Sequence, residues 1–345
     1  MPEMCGRTTL CASCPVPVRS LPRLWKPSKS EYHMQEAKMN WQQGVTWRIC
    51  AKIAAVGLCF FLGWLSGAPA QALSPGQGRD QSQFHLQVPD QVGVGLPFQV
   101  HLSGAKHVEE VHLSWLGKDL QFFPPGNAHW ASDVTILLGV DLETPPGTHQ
   151  LTGFVVMLNG RQSFLHEIQV QARAFPEQRL RVNREMVSPD ASLMPRIERE
   201  RRAARAALER VTPTRLWQEP FVRPVQGSVS SAFGLRRFLN DQPRAPHRGV
   251  DLRGAEGTPV RAFSNGKVVL TGDHYFAGRS VYIDHGLGVV TQYIHLSEIT
   301  VQEGDQVVAG QAIGKIGATG RVTGPHLHFG LSILGMWVDP LPLLE

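Results

Sequence analysis

The side chains best placed to do chemistry together lie in the final third of this 345-residue chain. The run Gly324-Pro325-His326-Leu327-His328-Phe329-Gly330 reads as a strand, so His326 and His328 share one face while Leu327 and Phe329 share the other. Two imidazoles on one rigid face can converge on a metal ion or form an acid/base pair. Alone, such a pair is more often an ordinary pair of polar strand positions, so the question is whether the chain supplies further ligands. His247-Arg248-Gly249-Val250-Asp251 offers a nitrogen and an oxygen four residues apart, on a loop running into a strand. With one histidine of the His326/His328 pair they make a His2Asp set, and three such ligands with one open position are the plan of a catalytic zinc site. The histidine left over, and His295 in Thr291-Gln-Tyr-Ile-His295-Leu-Ser297, would sit beside the water at the metal, able to move a proton or stabilise an oxyanion.

The elements that must hold these residues read as mainly β. The segment after Phe221 alternates short strand patterns with glycines at nearly every turn, as in Pro259-Val-Arg-Ala-Phe263, Gly266-Lys-Val-Val-Leu270 and Val281-Tyr-Ile-Asp-His285. His285, at a strand end, reads as structural, since the ligand set is complete without it. His274, Tyr275 and Phe276 lie in a glycine-flanked loop that could line a groove or form an exposed tip. Gly310-Gln-Ala-Ile-Gly-Lys315 is one residue short of a phosphate-binding loop and reads as a hairpin.

Residues 80–173 carry about seven short strand patterns separated by turn signals such as Pro145-Pro146-Gly147 and Asn159-Gly160, which predicts an immunoglobulin-like β-sandwich. Its histidines, His85, His101, His107, His112, His129, His149 and His166, share no ligand spacing and read as surface or strand-edge residues. Trp115 and Trp130 read as core or interface aromatics. Over 188–211, Ser188-Pro189-Asp190 predicts a helix start, and Ile197, Ala204, Leu208 and Val211 a narrow apolar stripe. Pro195 predicts a kink or a start on its far side. Interspersed glutamates make the Arg-rich run the solvated face of a linker helix, with packing against the cleft as the alternative. The boundaries expected are 1–72 for an extension and signal peptide, 73–180 for the sandwich, 181–220 for the helical linker and 221–345 for the catalytic domain.

Composition bounds the rest. With 42% hydrophobic and 18% charged residues the chain is globular, and its net charge of +5 comes entirely from residues 1–72. Residues 73–345 carry 26 charges of each sign, which gives no general electrostatic argument for nucleic acid or anionic lipid. All five cysteines precede residue 73, so the body has neither disulfides nor thiolate ligands. Residues 47–72 read as an export signal: Arg48 and Lys52, an apolar run from Ile53 to Leu65, and Ala70-Gln71-Ala72 before Leu73. This places a signal peptide at about residues 39–72 and predicts export to the periplasm or cell envelope, with an uncleaved leader acting as a membrane anchor as the alternative. Residues 1–38, with Cys5, Cys11 and Cys14, read as a mis-assigned start or an unstructured extension, Met34 and Met39 being better starts.

The motifs His247-Arg-Gly-Val-Asp251, Tyr293-Ile-His295-Leu and His326-Leu-His328, in that order, resemble the lysostaphin-type (LytM-like) zinc endopeptidases of bacterial cell walls. The resemblance covers about residues 221–342 and takes in the phrases SSAFGLR, GVDL, GTPV, IDHGLG and GPHLHF, while the sandwich and linker helix look like the N-terminal part of a Gram-negative branch. It implies a two-sheet β metallopeptidase domain of the duplicated hybrid motif type, with a groove over the metal. It implies His247, Asp251 and His328 as ligands of one zinc ion per chain, and His295 and His326 as the catalytic histidines. The implied substrate is the peptide part of peptidoglycan. Two readings of other classes stand beside it. One is a non-catalytic wall-binding module or amidase activator that retains the fold. The other is a biotinyl- or lipoyl-carrier hairpin over Val301–Gly317, which would need Lys315 at a tight turn.

Overall fold

The computed structural model describes residues 84–344, apart from 105–106, 124–132, 159, 182–188 and 244. The expected signal peptide, the early cysteines, His129, Trp130, Asn159 and Ser188 lie outside the described residues. Among those described, no helix is long and apolar enough to cross a membrane.

Residues 84–171 form eight strands: β1 (His85–Gln87), β2 (Gln91–Gly93), β3 (Pro97–Ser103), β4 (Val108–Trp115), β5 (Lys118–Phe122), β6 (Asp133–Gly139), β7 (Gly147–Met157) and β8 (Gly160–Gln171). They make two sheets, ordered β1–β3–β6 and β2–β8–β7–β4–β5. Alternation decides which face is buried: Phe98, Val100 and Leu102 of β3 point inward between more exposed neighbours. Trp115 is fully buried, lies edge-on to Phe98 at 5.5 Å, and its indole N–H donates to Gly139 O at 2.7 Å. The sandwich histidines make local contacts: His101 with Thr135, His112 stacked on Phe154, His149 donating to Pro145 O.

This core continues into the rest of the protein. Leu331, Ile333, Met336 and Val338 belong to the same buried cluster as the sandwich residues. Val338 fills the space over Gly139, where a Cβ would lie 2.4 Å from its side chain. Asp339 N donates to Gly95 O (2.8 Å), Trp337 N to the Asp141 carboxylate (3.0 Å), and Arg173 pairs with Asp339 at 3.3 Å. Beyond the sandwich, β9 (Glu177–Leu180) runs parallel to a strand further on at Arg236–Leu239.

The helix is shorter than the stripe predicted. Asp190 accepts from Ser192 N (2.8 Å) and opens a short 3-10 turn, Ala191–Leu193, that leads into α1 (Met194–Leu208). Pro195 neither kinks α1 nor displaces its start, because it lies in the first turn, where its missing N–H is not needed. Ile197 and Ala207 are buried, whereas Val211 lies beyond the helix and is exposed. Part of the charged face is engaged: Glu200 bonds Arg196 (2.6 Å) and accepts from Tyr275 N (2.8 Å), and Arg196 donates to Asp273 O (2.9 Å). The turn at Tyr275 and Phe276 is therefore pinned by α1, whereas His274, expected in that loop, is the last residue of a strand.

The remaining strands are β10 (Val229–Ser231), β11 (Arg236–Leu239), β12 (Gln242–Pro243), β13 (Val250–Arg253), β14 (Pro259–Arg261), β15 (Gly266–His274), β16 (Gly278–Asp284), β17 (Val289–Ile299), β18 (Gln306–Val307), β19 (Ala312–Ile316), β20 (His326–Ile333) and β21 (Met336–Val338). The main sheet runs β10–β13–β20–β17–β16–β15–β18. The layers share β17: up to Ile294 it pairs with β20, and from Leu296 it pairs with β19, which pairs in turn with β14. Leu252, Val260, Tyr293, Ile316, Leu327 and Phe329 are among the residues buried in the core. Lys315 lies inside β19, bonded to Glu298 at 2.6 Å, and not at a displayed turn.

His285 sits in this interior. Its Nδ1 donates to Asn265 O (2.7 Å) and its Nε2 meets Thr291 Oγ1 (2.7 Å). Burial pushes it down to about 4 from an ordinary value of 6.5, against smaller opposing effects of the Asn265 bond and the Asp284 charge. The unfolded chain thus takes up the proton near 6.5 and the folded chain only near 4, so the stability contributed is complete above 6.5 and is lost as pH falls toward 4. Between pH ~7 and ~5 the wild type is expected to lose about 2 kcal/mol more than His285→Gln, read by urea unfolding.

Candidate active site

The site is built on the pairing of β13 with β20. Their antiparallel register sets Asp251 opposite His328 and Arg253 opposite His326, so Asp251 and both histidines share one face of the sheet. His247 arrives from the loop before β13, held by its own N–H to Leu235 O (2.9 Å) and by Gly234 N donating to its carbonyl (2.8 Å). Gly249 is required for this approach: a Cβ there would lie 2.5 Å from Phe329 O and 2.6 Å from His328 Nε2.

Three atoms converge. His247 Nε2 lies 3.0 Å from Asp251 Oδ1 and 2.8 Å from His328 Nδ1, and His328 Nδ1 lies 2.9 Å from Asp251 Oδ1. All three residues are buried, and among the described residues they form a cluster able to hold a metal ion. His247 Nδ1 donates to Ala232 O at 2.9 Å, which leaves the Nε2 lone pair facing the cluster. Burial alone would raise the Asp251 carboxyl, but the hydrogen bonds and charges of His247 and His328 reverse this and hold it well below the usual carboxylate range.

His295 and His326 stand beside the cluster, their rings 5.1 Å apart. His326 Nε2 is 3.8 Å from Asp251 Oδ1. One loop sets both tautomers: His295 Nδ1 donates to Thr319 O (2.9 Å) and His326 Nδ1 to Gly324 O (2.8 Å). In its neutral form each ring therefore keeps its lone pair on Nε2. His295 has a left-handed backbone, with φ of 68°, at the point where β17 leaves β20 for β19 and where its register with β16 shifts. A bulge of this kind re-aims a side chain, and it places strain at the site. Burial first, and then the neighbouring His328 and His326, push the His295 imidazole down to about 3, so it is neutral at neutral pH.

The five residues singled out in the sequence thus lie together. Sequence reasoning missed three features. Gln292, on β17, lies 3.2 Å from His328 Nε2. The carbonyls of Thr319 and Gly324 orient the two flanking histidines. Arg248, next to His247, pairs with Glu143 of the sandwich at 3.2 Å, so the sandwich reaches the site's rim. His285 and His274 play no part in the cluster. A groove of about 770 Å³ opens beside Gln292 and Arg248, walled by α1 on one side and the β6–β7 loop on the other.

A buried His2Asp cluster with two further histidines beside it, on a β domain, fits a metallopeptidase. Residues 245–340 match peptidase family M23. A protein from Pseudomonas aeruginosa assigned to that family has a crystal structure 31% identical in sequence, covering 68% of this chain and 87% of its own, with a TM-score of 0.51. The chain belongs to peptidase family M23. Among curated proteins it is similar to the peptidoglycan DD-endopeptidase ShyA of Vibrio cholerae, 46% identical over 114 residues, 33% of this chain. It is also similar to the DD-carboxypeptidase/endopeptidase Mpg of Neisseria meningitidis, 42% identical over 113 residues. The match spans about a quarter (26%) of the length of each of these relatives.

Gly249→Ala tests the close approach. Its methyl meets a backbone carbonyl and the His328 ring, so the variant is expected to lose about 1–3 kcal/mol of stability and to bind divalent metal more weakly. Thermal unfolding of the metal-stripped protein and chelator competition read the two effects separately.

Proposed function

We propose that this protein is a zinc endopeptidase that hydrolyses the peptide cross-links of peptidoglycan. The observation that carries the reading is the cluster of His247 Nε2, Asp251 Oδ1 and His328 Nδ1, flanked by two histidines that each give Nδ1–H to a backbone carbonyl. Two imidazole nitrogens and one carboxylate oxygen fit zinc, and with every cysteine before residue 60 a thiolate set is not available to compete. When bound, the ion would supply Lewis-acid polarisation of the scissile carbonyl and a lowered pKa for the attacking water.

The chain's own residues do the rest. One of His295 and His326 is able to accept a proton from the attacking water at Nε2, and the other to stabilise the developing oxyanion once its own Nε2 carries a proton. Asp251 stays ionised and neutralises part of the cation. The names of the curated relatives support peptidoglycan as the substrate class, and export to the periplasm or cell envelope agrees with the leader-like residues 47–72.

Digestion of purified sacculi by the zinc-supplied chain, followed by mass spectrometry of the muropeptides, is expected to show cross-links opened into free amine and carboxylate ends. No released fragments would return the chain to the non-catalytic wall-binding or amidase-activating reading. His247→Ala and His328→Ala are expected to lose bound metal and activity together. His295→Ala is expected to keep its metal while turnover falls by about 10²–10⁴. Stoichiometric metal in His328→Ala overturns the ligand set.

A further inference from the structure

Gln292 faces the site from β17, directly across from Gly330 and diagonal to His328. It is 8% exposed, and its side chain crosses the space a side chain at position 330 would occupy: a Cβ on Gly330 would lie 2.7 Å from Gln292 Nε2 and 2.8 Å from Trp337. Glycine at 330 leaves a slot, and Gln292 fills it to reach within 3.2 Å of His328 Nε2. The other nitrogen of that ring, Nδ1, is the one that meets His247 and Asp251.

We propose that Gln292 is the positioning residue of His328, its amide oxygen accepting the Nε2 proton and holding Nδ1 toward the metal. The inference rests on the zinc reading above. If Nδ1 gives its lone pair to the ion, the ring proton must be on Nε2, which then donates. An amide nitrogen cannot accept that bond. In the structure the Gln292 amide nitrogen stands 3.2 Å from that ring nitrogen; the oxygen and nitrogen of a glutamine amide have the same shape, and the assignment places the oxygen there because only it can accept. Such outer partners fix the orientation of a ligating histidine and raise its basicity. The other side of Gln292 borders the groove of about 770 Å³, so the residue is the wall between that groove and the metal ligand.

The test compares wild type, Gln292→Leu and Gln292→Glu in the full chain. Zinc affinity is read by competition with a chromophoric chelator, and the His328 Nε2 proton by ¹H–¹⁵N spectra of the zinc-loaded proteins. Gln292→Leu is expected to bind zinc about 10–100-fold more weakly and to lose the protected Nε2 proton. Gln292→Glu, whose carboxylate can also accept, is expected to keep the proton and bind zinc at least as tightly. Affinity in Gln292→Leu within about twofold of wild type overturns the proposal. Should that variant fail to fold, Gln292→Glu decides, and a loss of about tenfold overturns it. A wild type that binds no zinc removes the underlying reading, an outcome distinct from failure of the Gln292 assignment.

Discussion

The site depends on one pairing register. Asp251 and His328 are cross-strand partners, and because side chains alternate, a slip of one residue would send either of them to the opposite face. What holds the register is the other face of the same strands. Leu252, Leu327 and Phe329 are fully buried there, so any slip would put a charge into the core and apolar residues over the groove. The hydrophobic pattern of two short strands thereby sets the distance between two ligands. His247 is then brought in by a loop, through a glycine that permits contact with the ring of His328.

Around this pair the histidines follow two conventions. His247, His295 and His326 each give Nδ1–H to a backbone carbonyl, of Ala232, Thr319 and Gly324, and turn Nε2 to the site. His328 is reversed, with Nδ1 inward and Nε2 outward. The carbonyls that accept from the first three, those of Ala232, Thr319 and Gly324, lie outside the strands. His328 lies inside a paired strand, whose carbonyls are largely committed to the sheet, so its outward nitrogen meets a side chain. The asymmetry follows from where each residue sits in the ladder.

That division also explains what could be read in advance. The shared face of His326 and His328 and the spacing of His247 and Asp251 are local periodicities, visible in a few consecutive residues. The predominance of β structure was visible for the same reason. The left-handed backbone of His295 was not, because nothing in Tyr-Ile-His-Leu marks a bulge; it arises where β17 changes partners. Gln292 reaches His328 only because residue 330, 38 positions later, is glycine. For α1 the apolar positions were partly legible, but the docking of Arg196 and Glu200 onto the backbone of Asp273 and Tyr275 was hidden among charges that resemble a solvated face. The continuity of the sandwich core with β20 and β21 is likewise a matter of tertiary packing.

That continuity bears on where a substitution is felt. The stretch shared with the family ends near β21, yet Met336 and Val338 of that strand, with Leu331 and Ile333 beside them, are covered by sandwich residues. A side chain added at Gly139 would therefore be felt at Val338, and through β21 at the edge of the sheet that carries the site.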